Sequence, residues 1–297
     1  MKLGIVAKIV YFLFVFFITI FLASCGVNET TSWEIEDGKL TISGDGSIGN
    51  FCSGFDLNEG NFAPEGNYEI PWKGQIFDTV VLDAGITEIS GHSFGGFESL
   101  EKVVINGNNV SVRHAAFYEC INLKEIENTE NISRIFTHAF YGCKSLTSLH
   151  FGNNLSVLEN DAFKNCTSLE EVSISEDNPN FTSLDGVVYT KDMSTLIYYP
   201  SGKRDEIFVI PKETEQIDYR AICDNPFVKM FVFEGESIPS LHLEDILSCK
   251  QLTYIKISSS VTQIEDALWT SNFTIICEEG SAAHQYAKEN NISFRIE

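Results

Sequence analysis

Apolar residues recur with a fixed period of 23 in this chain, and this period is the strongest constraint that the sequence places on the fold. The clearest frame, HAFYGCKSL at residues 138–146, has counterparts 23 residues before and after it. Five positions of the repeat are apolar in all four copies, and we call the equivalent residues of successive copies a column. The five columns are Phe94, Phe117, Phe140 and Phe163; Phe97, Cys120, Cys143 and Cys166; Leu100, Leu123, Leu146 and Leu169; Val103, Ile126, Leu149 and Val172; and Ile89, Val112, Ile135 and Leu158. Periods of about 20 to 50 residues are typical of solenoids, in which copies of one unit stack.

Each 23-residue unit predicts one short strand and one turn. Residues 149–151 alternate apolar and polar side chains, as a strand with one buried face does. Phe140, Cys143 and Leu146 are three residues apart, which suits a helical or 3₁₀ turn. One strand and one turn cannot bury an apolar side alone, whereas stacked coils can. The sequence therefore predicts a repeat solenoid of short parallel strands joined by such turns.

The period is interrupted once and is capped at both ends. Residues 187–190 and 195–199 are rich in β-branched and aromatic residues and flank Lys191–Ser194, which predicts an inserted β-hairpin. Asp37-Gly38 predicts an N-terminal hairpin, and Ser281 is the predicted N-cap of a C-terminal helix. The predicted segments are a signal peptide at 1–24, an N-terminal β cap at 25–75, repeats at 76–176, the inserted hairpin and return to the repeat at 177–216, degenerate repeats at 217–272 and a C-terminal cap at 273–297.

The Ala-Phe-x-x-Cys-x-x-Leu frames at Ala116, Ala139 and Ala162 resemble those of the leucine-rich repeat proteins of the BspA type, also called the Treponema pallidum type. Residues 33–51 and the ending GSAAHQYAKENNISFRIE look like the N-terminal and C-terminal caps of that family. The resemblance implies a leucine-rich repeat solenoid over nearly the whole mature chain. It also implies a surface protein that adheres to host or bacterial proteins.

The first 25 residues are typical of an export signal. Lys2 and Lys8 are the only charges before an apolar run at residues 9–23, which is short for a membrane-spanning helix. The stretch LASC, ending at Cys25, resembles a bacterial lipobox, and this resemblance implies that Cys25 becomes the lipidated first residue. The alternative is an ordinary signal peptide or anchor with an incidental cysteine. A lipid anchor would hold the chain at a membrane surface.

The charge of the chain argues against nucleic acid as a partner. The formal net charge is -22, and it becomes -24 when Lys2 and Lys8 are removed with the signal peptide. Nucleic-acid binders need a basic face that neutralises phosphates. An acidic surface favours solubility and repels anionic membrane surfaces.

Seven of the eight cysteines remain when Cys25 is set aside. An exported protein can form disulfides, but equivalent residues of stacked coils point the same way rather than toward each other. Phe97 occupies the cysteine column in the earliest unit, which favours an apolar packing role. The chain has no Cys-x-x-Cys pair, and a disulfide, a metal site or a catalytic thiol remain the alternatives.

Histidines form a second candidate column. His92 and His138 are two units apart, with Ala115 between them, Asp161 beyond, and His114 one position away. Neighbouring coils could bring these residues within metal range. The mixed occupancy of the column favours a solvated, variable site instead, and we predict no metal.

No catalytic motif occurs in the context that its chemistry needs. The sequence contains no His-Glu-x-x-His and no Gly-x-x-x-x-Gly-Lys, and its Gly-x-Ser-x-Gly match, GHSFG at 91–95, lies inside a repeat frame around Phe94. The stretch GDGSIGN at 44–50 matches Gly-x-Gly-x-x-Gly, but it precedes no apolar helix and is a weak candidate for a phosphate loop. We therefore predict a protein that is not an enzyme and that carries no cofactor.

The strand positions between the buried columns predict a contiguous outward surface, the strand-face ribbon. Its residues are Lys102, Val104, Glu125, Glu127, Ser148, His150, Glu171, Ser173, Met230, Val232, Tyr254 and Lys256. Repeat proteins bind extended partners on such surfaces, and exposed aromatic residues and methionine are typical interface anchors. The alternative is an ordinary solvent-facing surface. Tyr189, Tyr198 and Tyr199 of the inserted hairpin form a second candidate surface.

These observations predict a lipid-anchored protein exported to the outer membrane or cell surface. Its predicted partners are host or bacterial surface proteins, with glycans as a further class, and it contacts the membrane through its lipid. The main hypothesis is a non-enzymatic adhesion module that binds proteins through the solenoid surface. The alternative is an accessory surface protein that captures glycans or peptides for uptake.

Overall fold

The computed structural model describes residues 30–49, 70–222, 224–233, 240–243, 246, 249–265 and 273–297. The predicted signal peptide and Cys25 lie outside these residues. The strands are β1 (Thr31–Glu36), β2 (Lys39–Gly44), β3 (Gly46–Ser47), β4 (Thr79–Leu82), β5 (Ile86–Ile89), β6 (Lys102–Ile105), β7 (Val110–Val112), β8 (Glu125–Glu127), β9 (Ile132–Ile135), β10 (Ser148–Phe151), β11 (Val157–Leu158), β12 (Glu171–Ile174), β13 (Phe181–Leu184), β14 (Val187–Thr190), β15 (Thr195–Tyr198), β16 (Ile207–Ile210), β17 (Gln216–Ile217), β18 (Met230–Phe233), β19 (Ser240–His242), β20 (Tyr254–Ile257), β21 (Gln263–Glu265), β22 (Thr274–Cys277) and β23 (Ser293–Ile296). The helices are the 3₁₀ segments Thr129–Asn131 and Asn160–Phe163 and the α-helix α1 (Ala282–Glu289).

The chain is a repeat solenoid in which most coils contribute two strands to two parallel sheets. The strand orders are β1-β2-β4-β6-β8 on one side and β11-β9-β7-β5-β3 on the other. The repeat solenoid is thereby confirmed, but the sequence predicts only one strand per coil. The second strand is short: in β7, Val110 and Val112 are buried and Ser111 is partly exposed. Three residues of alternation are too few to indicate a strand reliably.

The predicted turns are present between the strands. The Cys143 N–H donates to the Phe140 carbonyl at 3.1 Å, and the Leu146 N–H donates to the Cys143 carbonyl at 3.3 Å. These bonds close three-residue turns of the 3₁₀ type, as the spacing of the three columns predicts. The chain therefore reverses direction while placing the phenylalanine, cysteine and leucine of each unit on one buried side.

One aromatic ring per coil stacks in a column through the core, which we call the aromatic spine. The four repeated phenylalanines, from Phe94 to Phe163, have successive ring centroids 5.1, 5.2 and 5.6 Å apart. Trp72 stacks on Phe94 at 5.4 Å, and Tyr198 contacts Phe163 at 5.4 Å. Strands in a sheet lie about 4.8 Å apart, so ring stacking and strand pairing share nearly one spacing. The two interactions therefore favour the same register between coils.

The sheet β1-β2-β4-β6-β8 ends with β8, directly before Asn128. Ile105 and Phe151 fill the equivalent inward position one coil earlier and one coil later, whereas Asn128 has a left-handed backbone with φ 60°. The chain then enters the 3₁₀ segment Thr129–Asn131, and β10 and β12 form a separate two-stranded sheet. The Asn131 amide donates to the Ile105 carbonyl at 3.0 Å and satisfies a backbone group at this break.

The inserted hairpin is present as β14 and β15, which pair antiparallel. A third strand, β13, precedes the hairpin and pairs antiparallel with β14, which the sequence does not predict. β15 pairs in parallel with β17 and returns the chain to the stacked coils. Phe181 is the only buried residue of β13, so its sequence lacks the alternation that would indicate a strand.

The hairpin stands between two hydrophobic cores and packs against both. Val188, Ile197 and Tyr198 belong to the first core, and Val187, Tyr189, Leu196 and Tyr199 belong to the second. Tyr189, Tyr198 and Tyr199 are 1%, 4% and 0% exposed. The prediction that these tyrosines form a second binding surface is therefore wrong, because both sides of the hairpin are covered by packed coils.

Two buried asparagines hold the chain where it leaves and rejoins the repeat. The Asn178 amide donates to two backbone carbonyls at 2.9 Å each, and its oxygen accepts from the Phe181 N–H at 2.9 Å. The Asn225 amide donates to the Pro200 and Lys203 carbonyls at 3.1 and 2.7 Å. Buried backbone groups need such partners, and an apolar side chain could not supply them.

The caps have the predicted form. β1 and β2 pair antiparallel through a turn in which Asp37 and Gly38 have φ of 50° and 77°. The Ser281 side chain accepts the His284 N–H at 3.2 Å at the start of α1, and Ala283 is fully buried. α1 has eight residues, and no helix in the described part of the chain is long and apolar enough to cross a membrane.

Phe117→Ala removes one ring from the middle of the aromatic spine. We expect the free energy of unfolding to fall by about 3–5 kcal/mol, because a buried phenylalanine is lost and a cavity remains. Urea unfolding followed by circular dichroism measures the change.

The matched control is Ile76→Ala, since Ile76 is 84% exposed. We expect this change to alter stability by at most about 0.5 kcal/mol. Equal effects of the two substitutions would show that the spine is not a principal source of stability.

Candidate binding surface

The strand-face ribbon is divided into three sections, each on its own hydrogen-bonded sheet. The first section is on β6 and β8, the middle section on β10 and β12, and the third section on β18 and β20. Within a section the outward residues are direct cross-strand neighbours: Lys102 and Glu125, Val104 and Glu127, Ser148 and Glu171, His150 and Ser173, Met230 and Tyr254, and Val232 and Lys256. The predicted surface thus exists in three pieces.

Val232 does not belong to the accessible ribbon. Its side chain is 5% exposed, whereas the other eleven ribbon residues are at least partly exposed. Val232 lies on a central strand between Val209 of β16 and Lys256 of β20. Because the valine side chain is no longer than those of its two neighbours, they cover it. The prediction that Val232 is part of the accessible ribbon is therefore wrong.

The first section consists of Val104 and three charged residues that pair with one another. The Lys102 ammonium lies 3.1 Å from the Glu125 carboxylate and donates a hydrogen bond to Glu127. The hydrogen bonds that the ammonium donates, first to Glu127 and then to Glu125, raise the pKa of Lys102. A neighbouring pair, Lys124 and Glu101, lies at 2.8 Å. Partners of this section would therefore have to compete with internal ion pairs.

The middle section is polar and open. Ser148, His150 and Glu171 are exposed, and the His150 Nδ1 shares a hydrogen bond with the Ser173 hydroxyl at 3.0 Å. No apolar side chain occupies the outward positions of β10 and β12. This section offers hydrogen-bonding groups rather than hydrophobic anchors.

The third section is apolar and extends further than the sequence predicts. β16 pairs in parallel with β18 and places Ile207 beside Met230 and Val209 beside Val232. Ile207 is 57% exposed and Val209 is 49% exposed. The sequence IFVI is apolar at inward and outward positions alike, so it does not indicate which side chains face solvent. Only the pairing with β18 shows that these two residues extend the ribbon.

The histidine column is half-buried rather than solvated. The rings of His92 and His114 and those of His114 and His138 have centroids 5.5 Å apart. His138 Nε2 lies 3.9 Å from the buried Asp161 carboxylate, which also binds the Arg220 guanidinium at 3.0 Å. Burial lowers the pKa of each histidine. The structure thus contradicts the interpretation of this column as a solvated site.

In the part of the chain that the structure describes, no group of three or more histidine, cysteine, aspartate or glutamate side chains is arranged to hold a metal ion. The rings of His92, His114 and His138 contact one another edge to face in a row along the solenoid instead of converging on one point.

The cysteine column lies in the core. Cys120, Cys143 and Cys166 are fully buried free thiols, and each donates to the carbonyl of the repeated phenylalanine one coil earlier, at 3.0, 3.2 and 3.1 Å. Burial raises the pKa of Cys120 and Cys166 to about 12 and that of Cys143 well above its usual value. A thiol that stays protonated is a poor nucleophile and a poor metal ligand. These cysteines therefore serve packing.

We expect the stability of the chain to fall as the pH drops from about 7.5 to about 5.5. The unfolded histidines bind protons near pH 6.5, whereas the buried ones have lowered pKa values and bind protons only at lower pH. In that interval the unfolded state binds more protons, so acid favours unfolding. Replacing one ring of the row, as in His114→Asn, should make the urea midpoint less dependent on pH.

His150→Asn is the matched control, because His150 is exposed on the strand face. Its midpoint should show the same pH dependence as that of the unsubstituted chain. A steeper or unchanged dependence for His114→Asn would contradict the assignment of this effect to the buried row.

Alkylation tests the assignment of the cysteine column. In the folded chain we expect iodoacetamide to leave Cys120, Cys143 and Cys166 unmodified, because the thiols are buried and protonated. In denaturant all three should react, and peptide mass spectrometry distinguishes the positions. Rapid labelling of Cys143 in the folded chain would contradict a packing role.

Comparison with known proteins gives one family and several solved structures. A model of the BspA type leucine-rich repeat region matches residues 72–190 in 6 copies, and no curated protein matches. A leucine-rich repeat protein from Eubacterium ventriosum is similar over 86% of this chain and 72% of its own length, with 20% identity and a TM-score of 0.63.

The pneumococcal vaccine antigen PcpA is similar over 92% of this chain and 98% of its own, with 16% identity and a TM-score of 0.47. A leucine-rich cell surface protein from Faecalibacterium prausnitzii is similar over 92% and 94%, with 15% identity and a TM-score of 0.41. The Eubacterium protein shares the fold, and the family match covers the coils that contain the aromatic spine. The repeat region of this chain, residues 72–190, belongs to the BspA type of leucine-rich repeats.

Proposed function

We propose that this chain is a non-enzymatic, lipid-anchored surface protein that binds other proteins through the outward faces of its strands. The observation that carries the proposal is the ribbon: all of its residues except Val232 are at least partly exposed, on strands whose inward residues are mostly buried. Repeat arrays commonly use such surfaces for binding. Adhesion to host or bacterial surface proteins is the specific role that we propose.

The construction of the ribbon favours tight binding without rearrangement. Parallel strands hold the outward side chains in rows about 4.8 Å apart. The stacked rings and buried thiols beneath them fix the strands, so little backbone order has to be gained when a partner docks. The cysteine column is buried and the histidine column is half-buried. The strand face is accessible, and it is there that we expect partners to bind.

The proposed anchor is tested with Cys25→Ser in cells that make the protein. We expect this change to move the chain from the membrane fraction to the soluble fraction, because no thiol remains at the lipobox to carry lipid. Cys52→Ser is the matched control and should stay in the membrane fraction. Protease added to intact cells should degrade the unsubstituted protein, and protection from the protease would contradict a surface location.

Binding is tested with the chain from residue 25 onward, since both hydrophobic cores are built from residues within 33–292. Panels of matrix, plasma and bacterial surface proteins serve as probes, and a glycan panel serves as the comparison. We expect at least one protein ligand whose binding is weakened by Ser148→Arg or Tyr254→Arg on the strand face. The control is Lys144→Glu, an exposed residue in a turn.

The absence of any protein ligand would contradict the proposal. Competition by soluble glycans, with binding still sensitive to the strand-face variants, would favour glycan capture for uptake over adhesion.

A further inference from the structure

The outward side of the C-terminal sheet differs in chemistry from the rest of the ribbon. This sheet has the order β16-β18-β20-β22-β23. We call the apolar, aromatic and charged residues among its accessible outward side chains the C-terminal face: Ile207, Val209, Met230, Tyr254, Lys256 and Arg295. The first section consists largely of paired charges and the middle section is polar, so this is the part of the ribbon with several apolar anchors.

The apolar part of the C-terminal face lies on β16 and β18. Ile207 and Val209 are among the most exposed large hydrophobic residues of the described chain, at 57% and 49%. Met230 and Tyr254 continue the apolar row and are partly exposed. Contiguous exposed apolar side chains mark interaction sites, and aromatic residues and methionine are enriched there.

The charged part of the C-terminal face is cationic. At the outward positions of the five strands, all of which the structure describes, the charged residues are Lys256 and Arg295, and neither aspartate nor glutamate occurs. The Arg295 guanidinium lies 5.7 Å from the centroid of the Tyr254 ring. The chain as a whole has a net charge of -22, so this small cationic region stands out against an acidic body.

Glu297 occupies the cationic end of the face. Its carboxylate lies 2.7 Å from the Lys256 ammonium, and both side chains are substantially exposed, at 57% and 34%. An exposed ion pair of this kind is weak. A carboxylate from a partner could therefore replace that of Glu297 on Lys256 at small cost.

The apolar residues and the cationic residues lie toward opposite ends of the face, along the direction that crosses the strands. Neighbouring strands lie about 4.8 Å apart, so β16 and β20 are about 10 Å apart and β16 and β23 about 19 Å apart. An extended peptide of about six residues spans the longer distance at about 3.3 Å per residue. Apolar side chains at one end of such a peptide and carboxylates at the other would match both ends of the face.

We infer that the C-terminal face is the docking site for an extended segment of a partner protein that carries apolar side chains followed or preceded by carboxylates. The inference rests on the proposed protein-binding function and names the partner chemistry of one section. Ile207, Val209 and Met230 hold the apolar side chains, and Lys256 and Arg295 hold the carboxylates. An anionic membrane fits less well, because the acidic body of the chain is repelled by it.

The experiment is selection from a phage library of random dodecapeptides against the chain from residue 25 onward. Peptides that also bind the Ile207→Asp variant are discarded. The peptides that remain are those whose binding depends on the C-terminal face. We expect the retained peptides to be enriched in apolar residues together with aspartate or glutamate. Enrichment of basic peptides, or no difference between the two chains, would overturn the inference.

Affinities of one retained peptide then test the residues separately. Val209→Asp should weaken binding by about tenfold or more, since a charge is placed among the apolar anchors. Lys256→Gln should weaken binding by about two- to fivefold, the range of an exposed ion pair. Glu297→Gln should strengthen binding, because the competing carboxylate is removed. If the Glu297→Gln variant bound the peptide more weakly, Glu297 would not be competing with the peptide for Lys256.

Controls separate this inference from misfolding and from the proposed function. Ile76→Asp adds the same charge at an exposed residue outside the face and should leave peptide binding unchanged. Equal thermal midpoints of all variants exclude loss of fold. Vesicles of phosphatidylglycerol that bind through the face in place of peptides, or a dimer that Ile207→Asp disrupts, would assign the face to a membrane or to a second copy and overturn the inference.

Protein ligands that depend on Ser148 while no peptide depends on Ile207 would refute this inference and leave the proposed function standing. Failure of every protein panel would refute both.

Discussion

The fixed register between successive coils is the constraint on which the rest of this structure depends. Three interactions favour it together: the stacked rings from Phe94 to Phe163, the strand pairing, and the hydrogen bonds of three thiols, those of Cys120, Cys143 and Cys166, to carbonyls of the preceding coil. A shift of one residue in any strand would turn its buried side chains to solvent. The outward rows are therefore as well defined as the core beneath them.

Two departures from the repeat determine how the outward surface is divided. Asn128 takes a left-handed conformation where its neighbours have inward apolar residues, and the first sheet ends there. The insert separates the second and third sections, and its hairpin contributes side chains to both cores. The insert is therefore not an exposed appendage, because its hairpin lies between the two cores and packs against both. The surface it leaves consists of three sections with different chemistry.

The residues with the most reactive side chains contribute mainly to packing. The cysteines of the repeat are buried and protonated, and the histidines form a half-buried row that ends at Asp161 and Arg220. The outward rows of the strand face consist mostly of side chains of ordinary reactivity. Binding depends on the number and spacing of such side chains, and a solenoid supplies both.

The sequence by itself determined the solenoid, its period, the turns, both caps and the inserted hairpin, because a repeated pattern is averaged over several copies and local signals such as Asp37-Gly38 and Ser281 need no distant partner. It also determined which positions of the regular strands face outward. Only the tertiary structure decided the exposure of residues in the parts of the chain where the 23-residue repeat is interrupted or degenerate. Tyr189, Tyr198 and Tyr199 are buried, Val232 is covered by its neighbours, and Ile207 and Val209 are exposed. Each of these outcomes depends on which strand or coil lies beside the residue, and that neighbour is distant in sequence, so no local pattern encodes it.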